Sequence, residues 1–163
     1  MSNNKFYRLL RATKNVLISR NYRTMKYISY ARKKNANSFL RKIAVSRLSR
    51  RNITMNINED TTEIKDLYLP HPYNIAFGAG AQIGKGCTIY QEVTIGQNKG
   101  KYPIIGDNVI IYPGAKVIGD IKVGSNAIIG ANAVVTADVP DNAIVAGIPA
   151  KVLKYRKSSD IYF

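Results

Sequence analysis

Cysteine and histidine each occur once in the 163 residues, and tryptophan does not occur at all. The lone Cys87 excludes an internal disulfide framework and fits a reducing compartment. The lone His71 excludes a metal centre built from several histidines of one chain, and no metal is expected. No run reaches the ~20 apolar residues of a membrane span, and no N-terminal stretch has the basic flank, apolar core and small-residue cleavage site of a secretory leader. A cytoplasmic protein is expected. Acidic residues are missing from positions 1–51 altogether: the first is Glu59. Those positions hold fifteen of the 25 Lys and Arg, and the remaining ten bases balance ten acids, so the net charge of +15 belongs to the N-terminal third.

That basic third has helical periodicity. Phe6, Leu9, Leu10, Val16 and Leu17 recur at helical steps among Arg8, Arg11, Lys14 and Arg20. A second helix is expected through Phe39, Leu40, Ile43 and Leu48, with Arg41, Lys42, Arg47, Arg50 and Arg51 beside them. Polar residues 33–38 separate the two. Such helices either pack their apolar faces on each other or on a neighbouring subunit, or rest on anionic lipid or an acidic polymer. Charge alone would also suit nucleic acid, but the sequence carries no nucleic-acid module and none is expected as a partner. Residues 1–52 are therefore read as a basic helical segment and residues 53–70 as an irregular lead-in.

From His71 to Ile148 a six-residue period takes over. Phe77, Ile83, Ile89 and Ile95 are followed, four later in the first three cases, by Ala81, Cys87 and Val93. The frame breaks at residues 97–103 and restarts at Ile105, Ile111, Val117, Val123, Ile129 and Val135, with partners Val109, Ala115, Ile121, Ala127, Ala133 and Val139. Ile144 and Ile148 are read as a last pair. Such a period means stacked coils, three hexads to a triangular turn, each burying its inner face only against its neighbours. Gly84, Gly106, Gly119, Gly124 and Gly130, with nearby Asn residues, are expected at turns. Cys87 falls on a small interior position and reads as core.

The stretches from His71 to Gly84 and from Ile89 to Gly96, and the run Ala146-Gly-Ile-Pro-Ala-Lys151, resemble the hexapeptide-repeat acyltransferases. Within these the likeness is to serine acetyltransferases and to O-acetyltransferases of surface polysaccharides, over residues 56–154. The resemblance implies a mainly β protein, a left-handed parallel β-helix over residues 71–154 with a loop at 97–103 and a tail at 155–163. It also implies a homotrimer and acetyl-CoA in a groove between subunits.

His71 matches the family's general base, a role suited to an imidazole because its pKa lies close to cellular pH. Counted back in the repeat it takes a slot six before Phe77, where an aliphatic would stand. The family's orienting acid falls on Asn56, or on Asp60 if the lead-in shifts. The aspartate that precedes the base in serine acetyltransferases is Pro70 here, and a second histidine is Tyr102. Both changes weaken serine as acceptor and favour a sugar hydroxyl, with Tyr73 and Tyr102 as substrate contacts. Donor contacts carry over onto Gly96, Pro113, Ala131, Ala146, Lys151 and Lys154. The loop at 97–103 is expected to flank the acceptor or a neighbour's donor. Three functions follow: an acetyl-CoA-dependent O-acetyltransferase for a sugar of a cell-surface polysaccharide, a serine O-acetyltransferase, and a non-catalytic trimeric scaffold whose basic segment binds membrane or polyanion. A peripheral position at the inner face of the membrane is compatible with each.

Overall fold

The computed structural model describes residues 38–50, 54–55 and 67–157. The helix expected around residues 6–20, Asn56 and Asp60 lie outside them.

A hexad is long enough for one two-residue strand and one corner, and the strands follow that spacing. Three parallel sheets form the faces of a triangular coil. The first face stacks β1 (Thr54–Met55), β2 (Ala76–Phe77), β5 (Thr94–Gly96), β8 (Lys116–Ile118) and β11 (Val134–Val135). The second stacks β3 (Gln82–Ile83), β6 (Ile104–Ile105) and β9 (Lys122–Val123). The third stacks β4 (Thr88–Ile89), β7 (Ile110–Ile111), β10 (Ile128–Ile129) and β12 (Ala143–Ala146), and ends on β13 (Lys151–Tyr155), which runs antiparallel to β12. Ala76 pairs with Thr94, and Lys116 with Val134, 18 residues apart. Thr94 pairs with Lys116 at 22, because the segment at 97–103 adds four residues to that coil.

Every interior aliphatic from Phe77 to Val135 and every fourth-on partner from Ala81 to Val139 is buried. The burial follows from the pleat: one residue of each short strand points inward, and the partner closes the corner. The last pair differs. Ala143 and Val145 are buried, whereas Ile148 is 75% exposed in the turn before β13. The final coil is shorter, with Ile128 opposite Ile144 at 16 residues, so the frame has moved by the time it reaches Ile148.

Two other expectations change. The lead-in is not wholly irregular: β1 pairs in parallel with β2, Tyr68 bridges to Thr88, and Leu67 and Leu69 are buried. Among the named glycines only Gly119 is left-handed (φ 103); Asn74, Asn108, Asn126, Asn132 and Asn142 hold most such corners. Gly106 is needed for close approach instead, since a Cβ there would stand 2.8 Å from the Ser125 nitrogen of the next coil.

The helix α1 (Ser38–Ser49) forms as expected and packs through the expected Leu48, but not through Phe39 and Ile43. Ala44 and Leu48 are buried in the same apolar cluster as the coil interior, while Phe39 is 66% and Ile43 37% exposed. Alanine, too small to stand out in an apolar pattern, marks the packed side because it allows close approach.

Candidate active site

His71 sits where the third face turns into the first. Leu69 aligns with Ile89 through the Tyr68–Thr88 bridge. Asn74 aligns with Glu92, both left-handed at φ 52 and 62, and the Glu92 N–H donates to the Tyr73 carbonyl at 3.1 Å. Between these anchors the later coil has only Tyr90 and Gln91, whereas the earlier one has residues 70–73. The two additional residues bulge outward, and the Tyr73 N–H closes the bulge on the His71 carbonyl at 2.8 Å. His71 is therefore exposed at the apex and does not fill an interior slot; Leu69 and Ile75, both fully buried, do. Counting back in sixes from Phe77 misses this because the insertion lies between. Tyr73 stands exposed on the same bulge.

A column of rings continues from His71 along the coil axis. Its imidazole lies 6.4 Å from the Tyr90 ring, which stacks on Tyr112 at 5.3 Å and 16°. Tyr90 and Tyr112 occupy equivalent places, their N–H groups donating to the Ile111 and Ile129 carbonyls of the following coil. The next place belongs to Gly130 and the one after to Ala146, so the column ends in a step without large side chains. Burial, then the neighbouring Tyr112 and Tyr68, push the Tyr90 hydroxyl above the usual phenol range. Beside it the Gln91 amide oxygen Oε1 is buried without a hydrogen-bond partner. Lys116 braces the corner, its ammonium donating to the Glu92 and Gly114 carbonyls at 2.8 and 2.9 Å.

The expected site residues fall on two corners. Pro113, Ala131 and Ala146 lie on the same edge as His71, and β13 brings Lys151 opposite Ala146 and Lys154 opposite Ile144. Five strand spacings of about 4.8 Å separate the His71 end from this basic end, roughly 24 Å. Gly96 and Tyr102 lie instead between the first and second faces. There the segment at 97–103 is pinned: Asn98 and Lys101 pair with each other, Lys101 bonds Asp120, and Pro103 is buried. The Tyr102 ring covers Gly78 and Gly80, where a Cβ would come within 2.6 Å of it in either case. A concavity of about 500 Å3 between Ile104, Lys122, Ser125 and Asp141 borders none of the expected site residues.

Tyr90, Gln91 and Tyr112 were not among the residues singled out from the sequence. Their signal was present: a tyrosine directly follows the interior isoleucine in two successive coils, Ile89-Tyr90 and Ile111-Tyr112.

Residues 102–137 match the family described as bacterial transferase hexapeptide (six repeats). A serine acetyltransferase of Staphylococcus aureus is 40% identical over 124 residues, 74% of this chain and 58% of that protein. The serine acetyltransferase structure from Neisseria gonorrhoeae superposes with a TM-score of 0.65 at 28% identity, over 86% of this chain and 57% of the other. A serine acetyltransferase in complex with CoA gives a TM-score of 0.60 at 30% identity, over 72% and 50%. The chain spans rather more than half the length of the curated relatives it matches. These likenesses establish the left-handed parallel β-helix as its fold.

Proposed function

Because this chain belongs to the hexapeptide-repeat acyltransferases, we propose that it transfers an acetyl group from acetyl-CoA to a hydroxyl acceptor. The observation that carries the reading is the bulged third corner, which presents His71 at one end of an edge that runs past Tyr90 and Tyr112 to the small residues Gly130 and Ala146 and ends on Lys151. Bound acetyl-CoA supplies the activated acetyl group. Pro113, Ala131 and Ala146 leave room for its narrow arm, and Lys151 and Lys154 suit its phosphates. His71 takes the acceptor proton as the hydroxyl oxygen attacks the thioester carbonyl, then returns it to the departing sulfur. Orienting His71 falls to Asn56 or Asp60.

The acceptor we infer is a sugar of a cell-surface polysaccharide or its precursor. Pro70 and Tyr102 replace two residues suited to serine, and the His71 edge carries Tyr73 on the same bulge and a column of Tyr90 and Tyr112 leading away from it, aromatic surface and hydroxyls suited to a glycan. Serine itself is the second reading, favoured by the serine acetyltransferases this chain resembles. Gly96 and Tyr102, between the first and second faces, would join the His71 edge where another subunit brings that corner to it, as in the homotrimer the family resemblance implies. Thiol release with purified chain, acetyl-CoA and either free serine or a nucleotide sugar and oligosaccharide panel tests the assignment. Glycan-dependent release is expected; release with serine alone selects the second reading, and release with neither favours a non-catalytic scaffold.

A further inference from the structure

Of the five acidic residues among those described, four have partners. Asp107, Asp138 and Asp141 each accept a backbone N–H of the neighbouring coil, and Asp120 takes the Lys101 ammonium. Only Glu92 presents an exposed carboxylate with no hydrogen bond or ion pair. Its backbone is also out of place. At φ 62 it is left-handed, where a Cβ crowds the following carbonyl oxygen. The equivalent places on this corner hold Asn74, Gly114 and Asn132, the residue types that tolerate that conformation. The coil makes no use of the Glu92 side chain. Its N–H donates to the Tyr73 carbonyl and its own carbonyl accepts from Lys116, contacts that any residue would make. Through Tyr73, whose N–H donates to the His71 carbonyl, it stands two hydrogen bonds from the apex of the bulge. Strain kept beside a reacting group, with no structural contact of the side chain to hold it, is a mark of function.

We propose that Glu92 determines acceptor specificity: its carboxylate accepts hydrogen bonds from neutral hydroxyl groups next to the one that reacts, and repels acceptors charged negatively there. An ionised carboxylate only accepts, and its two oxygens match two neighbouring hydroxyls of a sugar ring. The same charge placed opposite a second carboxylate is unfavourable, which selects by repulsion as well as by attraction. The acceptor class is therefore an uncharged sugar and not a sugar acid. A glutamate serving only solubility would stand equally well on an exposed strand position, where no left-handed backbone is required. The inference rests on the sugar O-acetyltransferase reading and names the kind of sugar.

The test is acetyl transfer by the full chain to oligosaccharides of glucose, galactose and mannose, each paired with its uronic acid counterpart. The native chain should prefer the neutral member of a pair by about tenfold or more in kcat/KM. Glu92→Gln keeps the shape and the backbone strain but removes the charge. It should raise the KM for the neutral acceptor by about tenfold, leave the KM for acetyl-CoA unchanged and abolish the preference. Glu92→Asn suits the corner, so it should lose the preference likewise while its melting temperature rises by roughly 2–4 °C. Equal use of neutral and acidic sugars by the native chain would overturn the proposal, and so would a Glu92→Gln variant with unchanged acceptor KM and preference. A lower melting temperature for Glu92→Asn would show that the glutamate serves the coil and would overturn it too. Transfer to serine alone, or to no acceptor, is a separate outcome: it removes the sugar reading itself, and the proposal with it.

Discussion

The second and third corners of the coil are built by the same repeat and use their side chains in opposite ways. At the second corner side chains return to the backbone of the adjacent coil. The Asp107 carboxylate accepts from the Lys85 N–H at 2.7 Å, the Ser125 hydroxyl from the Asp107 N–H at 3.2 Å, and the Asp141 carboxylate from the Ser125 N–H at 2.8 Å. The corner is thereby closed on itself. At the third corner the equivalent positions carry Tyr90, Gln91, Tyr112 and Pro113, and the earliest coil adds the His71 bulge. There the rings stack on one another, and one buried acceptor, Gln91 Oε1, has no partner. Short polar side chains that satisfy coil backbone make a corner structural; aromatic and titratable ones that do not leave it available for chemistry.

The difference can be broken from either side. Replacing His71 by Ala should lower kcat/KM for acetyl transfer by about a hundred- to ten-thousand-fold while the donor still binds, as read by steady-state kinetics and calorimetry with CoA. Transfer that survives intact would remove the general base from this corner. Tyr90→Ala and Tyr112→Ala should each raise the acceptor KM by about tenfold, with a smaller loss of stability from the broken stack, about 1 kcal/mol. An unchanged KM would make the column purely structural. At the second corner the pattern should invert: Asp141→Ala leaves kinetics alone but costs about 1 kcal/mol in urea unfolding, because the Ser125 N–H loses its acceptor. On the remaining corner, Gly80→Ala should displace the Tyr102 ring from its seat, visible as a change in tyrosine fluorescence, with a modest fall in melting temperature.

The smallest effect concerns Cys87, whose thiol donates to the Gly106 carbonyl at 3.2 Å. Burial, the largest influence, raises its pKa from 9.0 to about 11. The folded protein therefore keeps the proton to higher pH than the unfolded chain does. Stability from this group is complete below pH 9.0 and declines as the pH rises toward about 11. A Cys87→Ala variant should lose that alkaline slope, and native Cys87 should resist thiol reagents at pH 8.

Much of the architecture was legible because a coil interior is one residue wide. Each inward position from Phe77 to Val135 must be apolar, and each partner compact, so the period survives in the sequence as a pattern independent of neighbours. The resemblance to a known family points to His71 for the same reason: the motif around it is local. What failed were the places where length changes. The extra residues at 70–73 moved His71 from an apparent interior slot to an exposed apex, and the shortened last coil put Ile148 outside. On α1 hydrophobicity pointed correctly to Leu48 but also to Phe39 and Ile43, which are exposed, and it passed over Ala44, which packs beside Leu48 by fit.

The sequence by itself determined the repeat, the buried core, the charge asymmetry and the identity of the one histidine, since all of these are properties of residue type and spacing. The tertiary structure alone decided which residues share a corner. Tyr90 and Tyr112 are 22 positions apart yet stack, because one turn of this coil contains that many residues and returns the chain to the same edge. It also divided the expected site between two corners, with His71 and Ala131 on one and Gly96 and Tyr102 on another. Proximity in a solenoid depends on position modulo one coil, and that modulus changes wherever residues are inserted or lost.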